Sequence, residues 1–332
     1  VSRADRIATV PPTEAAWHAL RVQDITSTES SALFGHSPYC TEFELWHRKR
    51  DAVQVSIDPN ERMEWGTELQ YSIAQVLARR NGVGCKPVPE YISLGDARMG
   101  ASFDFEINEP IAKFAESHPG DKGPILYSLL NDHGPGIFEI KAVDYGVFRD
   151  EWKVREDGHR EAPAHIEIQV QHQMHTKGNQ WGAIGVLVGG NKGHVIVRRY
   201  DEKVGEVIES KIRKFWKSIA DDVPPPPVFP GDETFITELY CQAQAGKQAD
   251  LRGVEEIAAL VQEYRDAGDR EKLAKEDKDI ARAKLLMQFG DAAKVIVDGG
   301  SFDCGITKGS TYTVSREEFR RFKFNPKKGI GA

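Results

Sequence analysis

Cysteine is scarce in this chain. The four present (Cys40, Cys85, Cys241 and Cys304) are scattered, with no CxxC pair. That speaks against a zinc or iron–sulfur site and fits reduced thiols in a cytosol, serving as small core residues. Long apolar runs are missing as well. No window approaches ~18 uninterrupted apolar residues, so no transmembrane helix and no membrane partner are expected. The opening VSRADRIATVPPTEAAW lacks the apolar stretch of a secretory signal. It begins on Val1 rather than Met, as a processed or recombinant N-terminus would. There is no internal repeat. Positive charge is in deficit, and the net charge of −7 by itself disfavours a polyanionic partner.

What is there describes an ordinary globular protein: 332 residues, 40% apolar and 29% charged, enough for two domains or one with an extension. The basic residues are unevenly spread. The tail Arg316–Ala332, REEFRRFKFNPKKGIGA, holds six basic and two acidic residues, so it carries +4 and leaves −11 for the rest. Smaller clusters stand at Arg79–Arg80, Arg198–Arg199 and KIRKFWK (Lys211–Lys217). Local basic patches on an acidic protein guide a polyanion to one place; solvated helix faces explain each cluster equally well.

Residues 1–222 read as one α/β domain. TEAAWHALRVQDITSTESSALFG predicts a helix, a short extended piece and a second helix capped near Ser27 or Thr28. NERMEWGTELQYSIAQVLARRNG has helical spacing (Met63, Leu69, Ile73, Val76, Leu77) and closes on Gly82, a C′ glycine. YISLGDARMGASFDFEI reads as two strands joined by a turn, and Asn108–Gly136 as a long loop or insertion. GIFEIKAV is a strand, APAHIEIQVQHQMHTKG a helix after Pro163 with Ile166, Val170 and Met174 on one face. WGAIGVLVGG and HVIVRRY are strands, and EKVGEVIESKIRKFWKSI an amphipathic helix. Strands alternating with helices predict a mixed sheet flanked by helices. A stiff Pro-rich linker follows at 223–232. Residues 233–295 form a helical extension, with Val254–Phe289 either one long interrupted helix or a hairpin about Gly268. Residues 296–332 hold a small β-hairpin element and the basic tail.

Two charges in GIFEIKAV need an explanation. Glu139 and Lys141 are two apart, on one face of a strand that otherwise belongs in a core, and a lone charge in a dry interior costs several kcal/mol. Upstream, ASFDFEI places Asp104 in another apolar run, 35 residues before Glu139. Antiparallel neighbouring strands would set the two carboxylates side by side, where their repulsion drives one neutral unless a divalent cation sits between them. Hard oxygen donors and few other protein groups suit Mg²⁺ or Mn²⁺ completed by waters and a phosphate. Lys141 would then orient or help deprotonate the attacking water and offset developing negative charge. The tripeptide alone is weak evidence, since Glu-x-Lys also occurs on half-exposed strands with a solvated polar face.

The ordered set AWHALRVQDITSTES, WGTELQ, SFDF with EIK, and QVQHQM resembles the PD-(D/E)xK nuclease superfamily. Within it, the set resembles the lambda exonuclease and YqaJ-like viral recombinase group of phage-type alkaline exonucleases, over roughly Trp17–Trp216. The resemblance implies an α/β (α+β) restriction-endonuclease-like core with a mixed central sheet. It implies Asp104, Glu139 and the Ile140 carbonyl as ligands of Mg²⁺, with Mn²⁺ able to substitute, Lys141 as catalytic lysine, and Gln169 as an active-site amide. Arg21, Thr28 and Ser102 match contacts to the 5′-terminal phosphate, a fork of donors with fixed positive charge. Without the family, Arg21 reads as a surface cation, Thr28 as a helix cap and Gln169 as a polar residue on an exposed face.

The implied activity is Mg²⁺-dependent 5′→3′ degradation of linear double-stranded DNA from 5′-phosphorylated ends. It leaves 3′ single strands for a single-strand annealing protein, in the cytosol of a bacterial host of a phage or prophage. The family's ring-shaped homotrimer is compatible with the chain. Two departures stand out. The family's WGxxxE acid is Gln70 here, with Glu68 two positions early and turned to another side of the helix; an amide holds a metal-bound water without adding charge. The stretch between Asp104 and Glu139 is also longer than in compact members. A restriction-like or structure-specific endonuclease on the same fold, and a catalytically degenerate DNA-end-binding scaffold, remain alternatives.

Overall fold

The structure, a computed structural model, describes residues 6–52, 60–111, 125–156, 160–311 and 320–324. The chain divides into two compact units, Val1–Ile236 and Thr237–Ala332.

Among the described residues the larger unit holds nine strands: β1 (Arg6–Thr9), β2 (Ile25–Thr26), β3 (Val83–Pro87), β4 (Tyr91–Leu94), β5 (Met99–Ala101), β6 (Phe105–Pro110), β7 (Gly136–Val143), β8 (Trp181–Val188) and β9 (Lys192–Arg199). They form a five-stranded sheet ordered β3-β6-β7-β8-β9 and a smaller one ordered β1-β4-β5-β2. In the larger sheet only β7 and β8 run parallel, with Glu139 beside Ile184; the other neighbours are antiparallel. A parallel pair needs a crossover, and the Ala164–Lys177 helix lies within it. Residues of β8 are buried almost without interruption, as a strand covered on both faces requires. Gly136 has no room for a side chain, because a Cβ there would lie 2.5 Å from the Trp181 ring.

Alternation along β7 sorts its side chains. Phe138 and Ile140 join Ile73, Leu77 and Leu126 in one core, beneath the Glu61–Arg80 and Ile125–His133 helices. Ile137 joins Ile166, Val170 and Met174 in the other. Glu139 and Lys141 share the Ile137 face, toward the Ala164–Lys177 helix. A third core, with Trp46, Ile25, Leu94 and Met99, packs the small sheet against Ile208, Ile212 and Phe215 of the Glu202–Ala220 helix.

Several expectations are corrected. Tyr91–Ile107 contains three strands, because the chain leaves the small sheet after β5 and enters the large one at β6. Ser30–Phe34 is one 3₁₀ turn whose first flanking residue is Glu29, so neither Ser27 nor Thr28 caps it. Part of the supposed loop Asn108–Gly136 is ordered: β6 reaches Pro110, and Ile125–His133 is a helix burying Leu126, Leu129 and Leu130; residues 112–124 lie outside the described residues. Met63 is 44% exposed, off the core face. None of the four cysteines is fully buried, and Cys241 is exposed.

In the smaller unit Glu255–Phe289 is a single helix, without interruption or hairpin at Gly268. One glycine costs about 1 kcal/mol, which a long run of Ala, Glu, Lys and Leu absorbs. β10 (Lys294–Val297) and β11 (Gly300–Asp303) form the expected hairpin. Of the basic tail only residues 320–324 are described; there Phe322 packs edge-on against Tyr264. Two of the other basic clusters are largely committed within the fold. Arg198 is bidentate to Glu167. In the KIRKFWK stretch Lys211 donates to the Leu33 carbonyl, Arg213 pairs with Asp96 and Glu209, and Lys217 with Asp221. Among the described residues, no helix is long and apolar enough to cross a membrane.

Candidate active site

The antiparallel register of β6 and β7 pairs Phe105 with Phe138. One step further along both strands brings Asp104 and Glu139 to the same level. Asp104 sits in the bend at the foot of β6, not inside the strand. Its Oδ2 accepts the Ile140 backbone N–H at 2.8 Å, and the Gln70 side chain hydrogen-bonds to the same carboxyl. Gln70 thus reaches the acid pair from the Glu61–Arg80 helix, while Glu68 is exposed on another side.

Glu139 is 4% exposed. Its Oε1 accepts from Lys141 Nζ at 2.7 Å and from Gln169 Nε2 at 2.7 Å. Its Oε2 accepts from Gln173 Nε2 at 2.8 Å. Lys141 Nζ lies 3.4 Å from Gln169 Oε1. Five of the nine residues singled out in the sequence (Gln70, Asp104, Glu139, Lys141, Gln169) therefore meet in one cluster, and Ile140 joins it through its backbone.

Burial, then the neighbouring Glu139 charge, pushes the Asp104 carboxyl up to about 7, against the opposing pull of Lys141, the Ile140 N–H and Gln70. Burial works against the Lys141 ammonium, but Glu139 and Asp104 outweigh it and hold that group above the usual lysine range.

The other three residues form an adjoining group. Arg21 stacks over the Trp17 ring, 4.3 Å from its centroid, and its guanidinium lies 3.4 Å from Thr28 Oγ1. Trp17 Nε1 donates to Ser102 Oγ at 2.8 Å, so Arg21, Thr28 and Ser102 are connected through an indole. The Ser102 carbonyl accepts from Gln173 Nε2 at 3.1 Å. One glutamine amide therefore touches both groups.

Below, Lys49 is 9% exposed. It donates to the carbonyls of Arg21 (2.8 Å) and Asp24 (2.6 Å) and pairs with Glu29 at 2.9 Å. Glu29 accepts from Thr26 N and Oγ1, both at 2.9 Å. This fixes the backbone that carries Arg21 and Thr28.

Trp17, Gln173 and Lys49 were not singled out in the sequence. Helical spacing pointed to the first two: Trp17 is four before Arg21 and Gln173 four after Gln169, each on its partner's face. Nothing local marked Lys49, whose carbonyl partners lie 25 and 28 residues away.

The donor set fits a hard divalent cation. Two carboxylates side by side, one pushed toward neutrality by burial and by the other's charge, are what such a cation relieves, and the buried Gln173 Oε1 has no hydrogen-bond partner among the described residues. No group of three or more His, Cys, Asp or Glu gathers among those residues, at this site or elsewhere, so main-chain oxygen and water would complete the set.

Residues 16–180 match the family model of the YqaJ-like viral recombinase domain. This segment belongs to that family. The YqaJ-like domain contains every residue of both groups, from Trp17 to Gln173, whereas β8, β9 and the Glu202–Ala220 helix lie beyond the match. Similar solved structures include the alkaline exonuclease LHK-Exo from Laribacter hongkongensis, 17% identical over 63% of this chain and 94% of that one, with a TM-score of 0.46. The same exonuclease in complex with dAMP is 18% identical at equal coverage, with a TM-score of 0.47. SSO0001 is 11% identical over 70% of this chain and 97% of that one, with a TM-score of 0.29. The curated proteins contain no match.

Proposed function

We propose that the YqaJ-like domain is a metal-dependent deoxyribonuclease that degrades linear double-stranded DNA 5′→3′ from 5′-phosphorylated ends. The observation that carries this reading is the junction at Gln173, where the acid–lysine cluster meets the group containing Arg21, Thr28 and Ser102. The two groups adjoin through Gln173, so a strand with its terminal phosphate on Arg21 would continue toward Lys141.

Arg21 and Thr28 bind the terminal phosphate. Ser102 joins them, since an oxygen that accepts from Trp17 keeps its own O–H for an outward acceptor. Asp104, Glu139 and the Ile140 carbonyl would hold Mg²⁺, or Mn²⁺ in its place, which when bound would supply polarisation of the phosphate and a lowered pKa for water. Lys141 orients the attacking water and offsets charge on the phosphorane. Gln169 holds Lys141 and Glu139 in register, and Gln70 supplies a neutral hydrogen bond where a carboxylate would add charge. Water adds to phosphorus and the 3′ oxygen of the terminal nucleotide leaves, so a 5′-mononucleotide departs and the new end again carries a 5′ phosphate. The 3′-ended strand left behind suits a single-strand annealing protein, and a trimer encircling DNA would keep the duplex in place.

The test is consumption of linear duplex with 5′-phosphate or 5′-hydroxyl ends, in Mg²⁺ and in chelator, beside a closed circle. Consumption of the phosphorylated linear DNA in Mg²⁺ alone is expected. Cutting of the circle would indicate an endonuclease. Gln70 is the one observation that favours a non-cleaving end-binder, and binding of ends without turnover in either Mg²⁺ or Mn²⁺ would establish that instead.

A further inference from the structure

Three side chains at four-residue intervals run along one face of the Ala164–Lys177 helix: Gln173, Gln169 and His165. Each interval advances about 6 Å, close to the spacing of successive phosphates along a strand. Gln173 bonds to the Ser102 carbonyl beside the Arg21 group. Gln169 lies against Lys141. His165 marks the third step, and its ring meets that of Tyr39 edge to face, centroids 6.1 Å apart at 86°. Tyr39 is 73% exposed, yet its backbone is pinned. The N–H groups of Tyr39 and Cys40 both donate to Ser37 Oγ, at 3.1 and 3.4 Å. Neither the Tyr39 hydroxyl nor the His165 imidazole has a hydrogen-bond partner among the described residues. Both lie within electrostatic reach of Lys141.

A large aromatic ring with a pinned backbone and an edge-to-face histidine contact, open to solvent within electrostatic reach of Lys141, is a stacking surface. We propose that Tyr39 is the base-stacking residue for the nucleotide on the 3′ side of the scissile bond, with His165 as its positioning residue. This rests on the nuclease reading above and names the subsite that follows its scissile phosphate. The order along the helix sets the assignment: terminal phosphate at Gln173, scissile phosphate at Gln169, second nucleotide at His165. The stack would hold the strand while the first nucleotide leaves, and would tolerate any base, because every base offers a π face.

The experiment measures release of the first nucleotide, in a single turnover, from three 5′-phosphorylated duplexes: intact, abasic at the second nucleotide, and abasic at the fifth. Tyr39→Ala should slow release from the intact duplex roughly tenfold, within the range for loss of one base–aromatic stack. Tyr39→Phe should stay near wild type, and His165→Ala should fall between. The abasic second nucleotide should erase the difference between wild type and Tyr39→Ala, while the abasic fifth should preserve it. Equal rates for wild type and Tyr39→Ala on the intact duplex would overturn the assignment, as would a deficit that persists when the second base is missing. A wild-type protein that releases nothing from any duplex would refute the nuclease reading itself, an outcome separate from these.

Discussion

Trp17 donates its indole N–H to the hydroxyl of Ser102 across 85 residues of sequence, at 2.8 Å, and carries the Arg21 guanidinium on its ring face. One side chain therefore contacts both a hydroxyl and a cation of the group. Replacing it by phenylalanine keeps a ring under Arg21 but frees the Ser102 hydroxyl to rotate. Trp17→Phe should reduce the preference for 5′-phosphate over 5′-hydroxyl ends by about tenfold, the scale of one charge-assisted hydrogen bond. The ratio of kcat/KM on the two ends measures this; an unchanged ratio would remove Trp17 and Ser102 from the phosphate grip.

Lys141 is the only cation bonded to Glu139 among the described residues. Lys141→Met should abolish turnover while leaving end binding within a few-fold of wild type, because the Arg21 group is untouched. Band-shift titration of a phosphorylated duplex separates the two effects. Strong loss of binding would mean that Lys141 holds DNA rather than acting on it.

The raised Asp104 carboxyl gives a pH signature. Burial and the neighbouring Glu139 charge raise its pKa from the ordinary 3.8 to about 7 in the folded chain. Between those values the folded state binds more protons than the unfolded, so metal-free stability falls as pH rises through the window. A divalent cation must displace that proton, so its stabilising effect should be small at pH 5.5 and grow through pH 7 to 8. Thermal midpoints with Ca²⁺ and with chelator across this range test it, Asp104→Asn being the control that removes the pH dependence. A metal effect equal at pH 5.5 and 8 would contradict the site.

Gln70 hydrogen-bonds to Asp104 without adding charge. Gln70→Glu would bring a third carboxylate to the pair. It should lower the Mg²⁺ concentration for half-maximal activity several-fold, and lower the metal-free thermal midpoint above pH 7 through added repulsion. A Mg²⁺ midpoint no lower than wild type would place position 70 outside the metal's influence.

Much of this was legible in the sequence, and the reasons differ by element. GIFEIKAV declared itself because period-two alternation puts Glu139 and Lys141 on one face whatever the neighbours. The Ala164–Lys177 helix was readable from Ile166, Val170 and Met174, which lie buried as spaced. The passage from β5 to β6 was not, because apolar alternation continues through Ala101, Phe103 and Phe105 and says nothing about which sheet each strand joins. Ser30–Phe34 was misread for a similar reason. Its Ser- and Thr-rich lead suggested a capped helix, whereas Glu29 takes the Thr26 N–H and hydroxyl and leaves Thr28 beside Arg21. Lys49 was illegible, since its work is to bind main-chain carbonyls that only the fold brings near.

The most direct test of a 5′→3′ nuclease built on Asp104, Glu139 and Lys141 uses a blunt linear duplex phosphorylated at the 5′ end of one strand only, each strand carrying its own internal label. In Mg²⁺ the phosphorylated strand should shorten from its 5′ end while its partner is recovered at full length, and Lys141→Ala should leave both intact. Shortening of both strands together, or loss from the 3′ end first, would contradict the account.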